Sequence, residues 1–286
     1  MSTTVELSGT RHEGRWGARR LRWGRLGLRA AAAGYLLLMV ALPLVTIARE
    51  GLSRGLGALV RALWHPVARS ALALTFETAL AMTAVNAVMG TLIAYVLVRY
   101  RFPGRKLLDV VIDLPFAIPT LVTGMMLVAL LGPHAALGGL LQGAGLRIVY
   151  APPAIAIALL FVTLPLVVRT VQPVLMELDH SEEEAAYTLG ASEWSAFRRV
   201  TLPAILPAVI SGALQSFARS LGEFGSVVVV AGNIPRRTLT AAVHVFGEVE
   251  SGDVHAASAM SLLLVTVSFS VVLAADAYER RRRRHG

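Results

Sequence analysis

Arg219 and Glu223 stand four residues apart in an otherwise apolar stretch, SFARSLGEFGSVVVV at 216–230. An ionisable side chain at membrane depth costs about 3 kcal/mol on insertion scales, so each must face protein or water rather than lipid. Gln215, Ser216 and Ser220 lie within one turn of the pair. Read as one helix, the five residues form a polar stripe along a path. Its hydroxyls and guanidinium are hydrogen-bond donors suited to an oxyanion. The same spacing also lets Arg219 and Glu223 do no more than neutralise each other and fix helix packing. Both readings stand at this point. Glu77, Asn86 and Thr123 read more simply as packing or interhelical hydrogen bonds.

Covalent and metal chemistry have little to work with. Gly51-Leu52-Ser53-Arg54-Gly55 fits G-x-S-x-G, but that motif needs a strand-turn-helix elbow with a placed histidine and acid, whereas here it follows a membrane helix. The histidines (His12, His65, His134, His180, His244, His255, His285) are scattered without an H-E-x-x-H pair, so no zinc site is expected. The chain has no cysteine, which excludes disulfides and thiolate ligands. It also has no G-x-x-x-x-G-K-[ST] stretch, so it lacks the phosphate cradle of a P-loop ATPase. No catalytic residue, metal or cofactor is expected in this chain, and ATP would be bound by a partner.

The elements that must position these residues are membrane helices. Of 286 residues, 55% are hydrophobic and only 16% charged, where a soluble domain carries about 25% charged. Runs long enough to cross a bilayer, about 20 residues each, fall near 30–48, 71–98, 108–131, 150–171, 203–231 and 256–277. An all-α integral membrane protein of about six spans is therefore expected. The first run reads as an uncleaved helix rather than a signal peptide, since it is long, lacks a small-x-small cleavage site and is followed by more spans.

The formal charge of +9 comes from arginines clustered beside apolar runs, which points to membrane orientation rather than nucleic acid. Arg11, Arg15, Arg19, Arg20, Arg22, Arg25 and Arg29, the 99–106 loop, Arg198 with Arg199, and Arg280 to Arg284 all fall on one side. That side reads as the cytoplasm, with both termini on it. Arg49, Arg54, Arg61 and Arg69 fall opposite. The expected layout is a basic segment at 1–29, one membrane domain at 30–279 with a polar loop at about 178–202, and a basic tail at 280–286.

That polar loop contains EEAAYTLGASEWSAFRRVTLP at 183–203. Ser181-x-x-Glu184 reads as a capping box, and Glu182 to Glu184 suit the positive end of a helix dipole. Gly190 ends that helix in the left-handed conformation, Ser192 caps a second one, and Trp194 and Phe197 share its face. Pro203 and Pro207 mark the return into the membrane. A helix-turn-helix knob is predicted, and an amphipathic helix lying on the membrane surface is the plainer alternative.

Glu184-Ala185-Ala186, three residues, Gly190, nine residues, then Val200-x-Leu202-Pro203 resembles the EAA loop of ABC importer permeases, with Val200 where isoleucine is usual. LPFAIPTLVTG (114–124), LPLVVRTVQPVLMELD (164–179) and SFARSLGEFGSVVVVAGNIP (216–235) are similar to the sulfate and thiosulfate branch of that family. The molybdate and tungstate branch shares the FAR-x-LGEFG stretch, and Glu250-Ser251-Gly252-Asp253 reads as naturally there.

The resemblance implies a type I importer permease fold in a bacterial inner membrane, with the loop docking as a coupling helix into a groove of a separate ATPase. Glu184 and Gly190 would shape that loop, Ala185, Ala186, Trp194 and Phe197 would face or support the contact, and Leu202 and Pro203 complete the set implied to couple to the ATPase. The implied partners are an ABC ATPase dimer, a second, homologous permease as heterodimer partner, and an extracytoplasmic sulfate-binding protein. A secondary anion transporter is the rival class, because it too buries ionisable residues in its spans, but it needs no such loop.

Overall fold

In hydrocarbon every backbone N–H and C=O must be satisfied within its own segment, so apolar runs of this length fold as helices. A computed structural model describes residues 27–282, apart from the side chains of residues 180 and 279–282. The basic segment expected at 1–29 lies mostly, and the tail at 280–286 wholly or in its side chains, outside the described residues. The chain falls into two compact units, Met1–Arg49 and Glu50–Gly286.

Most of the first helix, α1 (Gly27–Leu52), belongs to the smaller unit. It widens into a π turn at Leu37–Ala41, two residues ahead of Pro43. A proline has no N–H for the preceding turn and crowds the carbonyl four residues back, and a wider turn relieves both.

The larger unit begins with a short helix α2 (Leu56–Trp64) and is built on four long helices. These are α3 (Pro66–Arg99), α7 (Pro152–Glu177), α9 (Glu193–Leu221) and α12 (Val254–Arg282). α3, α7 and α9 pack against one another in pairs, and α12 lies along α9. Lipid supplies no hydrophobic drive between spans, so close contact depends on small residues and buried hydrogen bonds. Both occur here. A side chain at Gly90 of α3 would meet Val167 Cβ at 2.8 Å, and one at Gly212 of α9 would meet Val167 Cα at 3.0 Å. Asn86 Nδ2 donates to Thr163 Oγ1 (2.9 Å) and to the Leu160 carbonyl (3.3 Å) on α7. Asn86 therefore fills the interhelical role expected of it. Thr123 is buried with no hydrogen-bond partner for its hydroxyl among the described residues.

Two spans depart from the sequence reading. The apolar run at 108–131 is two helices, α4 (Arg105–Ala117) and α5 (Thr120–Leu131), bent by 113°. Ile118 is extended there (φ −89°, ψ 126°), because the residue before a proline avoids helical geometry. The run at 203–231 is one helix only to Leu221; after the break at Gly222 a separate short helix, α10 (Gly225–Val230), follows. α10 packs on α5 at glycine distance, since a side chain at Gly124 would meet the Ser226 carbonyl at 2.7 Å. The remaining helices are α6 (Ala136–Gly143), α8 (His180–Thr188) and α11 (Ala241–Glu250). α11 is tied to α3 by its Ala241 N–H, which donates to Thr75 Oγ1 at 2.8 Å.

The Gly90 contact yields a test. Gly90→Leu must push α3 off Val167, at a cost of about 1 to 3 kcal/mol for an overpacked interior. A fall in the thermal unfolding midpoint of the detergent-solubilised protein is expected, and an unchanged midpoint would show that the helices are not in contact there.

Candidate functional site

The loop after α7 folds as the predicted knob, with one correction at its start. Asp179, not Ser181, caps α8: its Oδ1 accepts the Ser181 N–H at 2.9 Å, so the helix begins two residues earlier than the capping-box reading placed it. Glu182 and Glu183 still lie in the first turn, where the helix dipole favours acids. The far end closes as a Schellman motif: Gly190 N–H donates to Tyr187 O (2.9 Å) and Ala191 N–H to Ala186 O (3.0 Å). Gly190 has φ +85°, which a side chain would strain. Ser192 Oγ then accepts the Ser195 N–H at 3.3 Å and starts α9.

α9 does not stop before the membrane. It runs from the knob into the span through a π turn at Phe197–Thr201, again two residues ahead of a proline, Pro203. The second helix of the knob and the fourth long helix are thus one continuous rod.

Glu183, which sequence reasoning passed over in favour of Glu184, is the carboxylate that fastens the knob. Glu183 Oε1 accepts from Arg99 Nη2 at 2.9 Å and from Thr201 Oγ1 at 2.6 Å, joining α8, the end of α3 and the π turn of α9. The ion pair is nearly closed to solvent, at 6% and 8% side-chain exposure. Partial desolvation, followed by the charge of Glu183, pushes the Tyr187 phenol up from its usual range. Phe197 sits between Trp194, stacked at 5.7 Å, and Tyr95 of α3, edge-on at 5.1 Å.

The rest of the knob faces outward. Glu184, Ala185 and Gly190 are exposed, and Ala186 is half-buried. Leu202 is half-buried and Pro203 exposed at the π turn's far side. Trp194 is 67% exposed and Leu189 is 88% exposed. Leu189 was not singled out from the sequence, and only its place beside the terminating glycine marks it. A hollow lined by Ala186, Leu189, Gly190, Ser192, Ser195 and Arg199 opens between the two helices.

The second group of residues is arranged less simply than a stripe. Arg219 and Glu223 do pair, Nη1 to Oε2 at 2.7 Å, but Glu223 lies beyond the end of α9. Its other oxygen accepts the Ser226 N–H (3.0 Å) and Oγ–H (2.8 Å) at the start of α10. At 3.6 residues per turn the five positions divide between two faces. Gln215 and Arg219 are on the exposed face, while Ser216 and Ser220 turn into the packing. Ser220 Oγ donates to the Ser216 carbonyl, and Ser216 Oγ is buried without a hydrogen-bond partner among the described residues. Of the predicted stripe, only Gln215 and Arg219 face the open side.

A third charged cluster was not read from the sequence at all. Arg169 on α7 binds Asp109 and Asp113 on α4 at 2.6 to 2.8 Å and touches Gln172 one turn along its own helix. Its partners are 56 and 60 residues away, so no local pattern announces them.

Residues 86–284 match the family described as "Binding-protein-dependent transport system inner membrane component". The chain belongs to that family and is a multi-pass membrane permease component. A probable sulfate transport system permease protein of Chlorokybus atmophyticus is 42% identical over 82% of each chain. The sulfate transport system permease protein of Synechocystis is 41% identical over 88% of each. In fold, the chain is similar to a bacterial alginate ABC transporter in complex with its periplasmic protein (TM-score 0.76, 17% identity, 94% of this chain and 98% of that one). It also resembles the methionine transporter MetNI in an inward-facing form (TM-score 0.54, 19% identity, 74% and 95%). The type I importer permease fold expected from the loop is therefore the fold observed.

Glu183 yields the next test. Removing one member of a buried ion pair costs about 3 to 5 kcal/mol, so Glu183→Ala should lower the unfolding midpoint and open the 188–192 turn to protease. Glu183→Gln, which keeps an oxygen for Thr201, should lose less. Equal stability of both variants and the parent would refute the fastening role.

Proposed function

We propose that the chain is the permease subunit of an ATP-driven importer for sulfate and thiosulfate, coupled through its 178–202 knob to a separate ATPase dimer. The observation that carries the substrate is the identity of 36 to 42%, over most of the chain, to proteins named as sulfate transport system permeases. The mechanical part rests on the knob. Leu189 and Trp194 present apolar surface outward from a base fastened by Glu183, beside the small Ala185 and Ala186. A groove in a partner fits such a surface, and because the knob is continuous with α9, displacing it moves a membrane-spanning rod.

The basic loops support a topology with the knob and both termini on the cytoplasmic side of a bacterial inner membrane. An ATPase dimer offers paired grooves, so a second permease stands beside this chain, by resemblance a homologous heterodimer partner. An extracytoplasmic binding protein delivers the anion on the far side. At an inside-negative potential of 100 mV a dianion climbs about 4.6 kcal/mol on entering, at about 2.3 per charge, which ATP hydrolysis offsets.

For the anion's path the pair at the end of α9 matters through its asymmetry. Glu223 is 1% exposed and Arg219 is 40% exposed. Here the acid is held inside by Ser226, and the guanidinium is turned outward beside Gln215, the orientation an oxyanion needs.

The assay is uptake of radiolabelled sulfate into proteoliposomes holding this chain, its cognate ATPase, any second permease and the binding protein. Uptake that needs ATP, is blocked by thiosulfate and barely changes with molybdate is the expected result. Molybdate transport without sulfate uptake would keep the importer and replace the substrate, while uptake without the ATPase would favour a secondary transporter.

Gly190→Val is the matching test of the knob. A branched residue at φ +85° unmakes the turn, so uptake and uptake-linked ATP hydrolysis should be lost while membrane insertion is kept. Undiminished uptake would remove the knob from the mechanism.

A further inference from the structure

The Arg169 cluster belongs neither to the knob nor to the Arg219–Glu223 pair, and it uses the guanidinium completely. Nε and Nη2 grip the two oxygens of Asp113 at 2.7 and 2.6 Å. Nη1 donates to Asp109 Oδ1 (2.8 Å) and to Gln172 Oε1 (2.6 Å). The second Nη2 proton reaches the Asp109 main-chain carbonyl at 2.7 Å. All five donors of one arginine are spent, four of them on α4. Mere neutralisation would need a single carboxylate, and a lysine would serve it. Two carboxylates and a main-chain carbonyl, met by a planar fork, fix position and angle as well as charge.

The location gives this fixation a purpose. Arg169 lies midway between Pro165 and Pro173, both inside α7. Each proline removes one helical hydrogen bond and weakens the rod at its turn, so α7 can bend on either side of the arginine. Below Pro173, α7 leads through Glu177 and Asp179 directly into the knob. Across the clamp, α4 leads through the 113° bend to α5, which packs on α10, whose first turn is held by Glu223.

We infer that Arg169, with Asp109 and Asp113, is the positioning link that carries motion of the knob and α7 to the bent α4–α5 pair, and so to the Arg219–Glu223 end of the path. The clamp makes α4 and the middle of α7 one rigid piece between two flexible turns. This rests on the importer reading above. Arg169 acts through the helices it joins and need not touch the anion.

The reconstituted complex tests the link through the ratio of uptake to ATP hydrolysed. Arg169→Gln, and separately Asp109→Asn with Asp113→Asn, should leave ATP hydrolysis near the parent's while uptake per ATP falls about tenfold, within the usual range of coupling strengths. Arg169→Lys keeps the charge without the fork and should fall with them; if it couples like the parent, the geometric link is refuted. Should Arg169→Gln fail to assemble, the lysine and asparagine variants carry the same measurement.

A second readout separates linkage from bulk stability. Because the chain has no cysteine, spin labels at Val110→Cys, exposed on α4, and at Leu166→Cys, half-buried on α7 between its two prolines, report the spacing of the two helices within the rigid piece. That distance should stay fixed between nucleotide-free and ATP-bound parent complexes and should shift in Arg169→Lys. A nucleotide-dependent shift in the parent overturns the rigid piece. Variants that couple normally in a working parent overturn the link alone, while a parent that does not couple ATP to uptake overturns the importer reading beneath it.

Discussion

A cation inside this bundle has no water to fall back on, and the fold is organised around that constraint. The helices could slide along one another at little cost if only apolar surface held them, because lipid and neighbouring side chains are equally greasy. Three arginine-carboxylate contacts remove that freedom. Arg99 with Glu183 joins the end of α3 to the knob, Arg169 with Asp109 and Asp113 joins α7 to α4, and Arg219 with Glu223 joins α9 to the start of α10. Each fixes a register that packing leaves free. Separating the Arg99 pair, the one closed to solvent on both sides, strands charge in an interior that solvates it poorly.

These contacts are not equivalent, and their exposure separates them. The Arg99 pair is closed to solvent, as suits a fastening. The Arg169 clamp is 30 to 49% exposed at its three side chains, so it joins α7 to α4 at the rim of the packing and is not walled in by other helices. The Arg219 pair is split, with the acid inside and the base outside. A fixed joint, a transmitting joint and an outward-facing cation follow one another from the knob towards the α10 end. The glycine contacts at Val167 hold the rods close enough for such joints to form.

How much of this was legible in the sequence depends on the range of each cause. Span existence and the knob's turns rest on local chemistry, on apolar runs, Gly190 and Ser192, and they were read correctly. Breaks inside apolar runs were missed although their local signs were present: Pro119 after Ile118 bends the third span, and Gly222 ends the fifth before Glu223. An apolar count is blind to both. Among three consecutive glutamates, the one that turns inward is chosen by the phase of α8 against α3, and that phase is set by where Asp179 starts the helix. The choice of Glu183 over Glu184 therefore needed a structure. The Arg169 clamp was illegible for a different reason, since its carboxylates lie far back in the chain and meet it only after α4 has folded beside α7.

The split of the predicted polar stripe bears on how a permease can hold an anion without trapping it. Had Ser216, Ser220, Arg219 and Gln215 all faced one path, the donors would have made a deep site at one level of the membrane, and release would have been slow. With both serines turned into the packing, the open face of α9 offers a guanidinium already half-committed to Glu223. On the path proposed above, an oxyanion arriving there would compete with a carboxylate for the same fork. Displacing part of that pairing offsets part of the attraction, so binding is weaker than to a lone arginine and departure faster. A carrier driven by ATP gains from that balance, because the energy that moves the helices is then spent on switching access rather than on tearing the anion from its site.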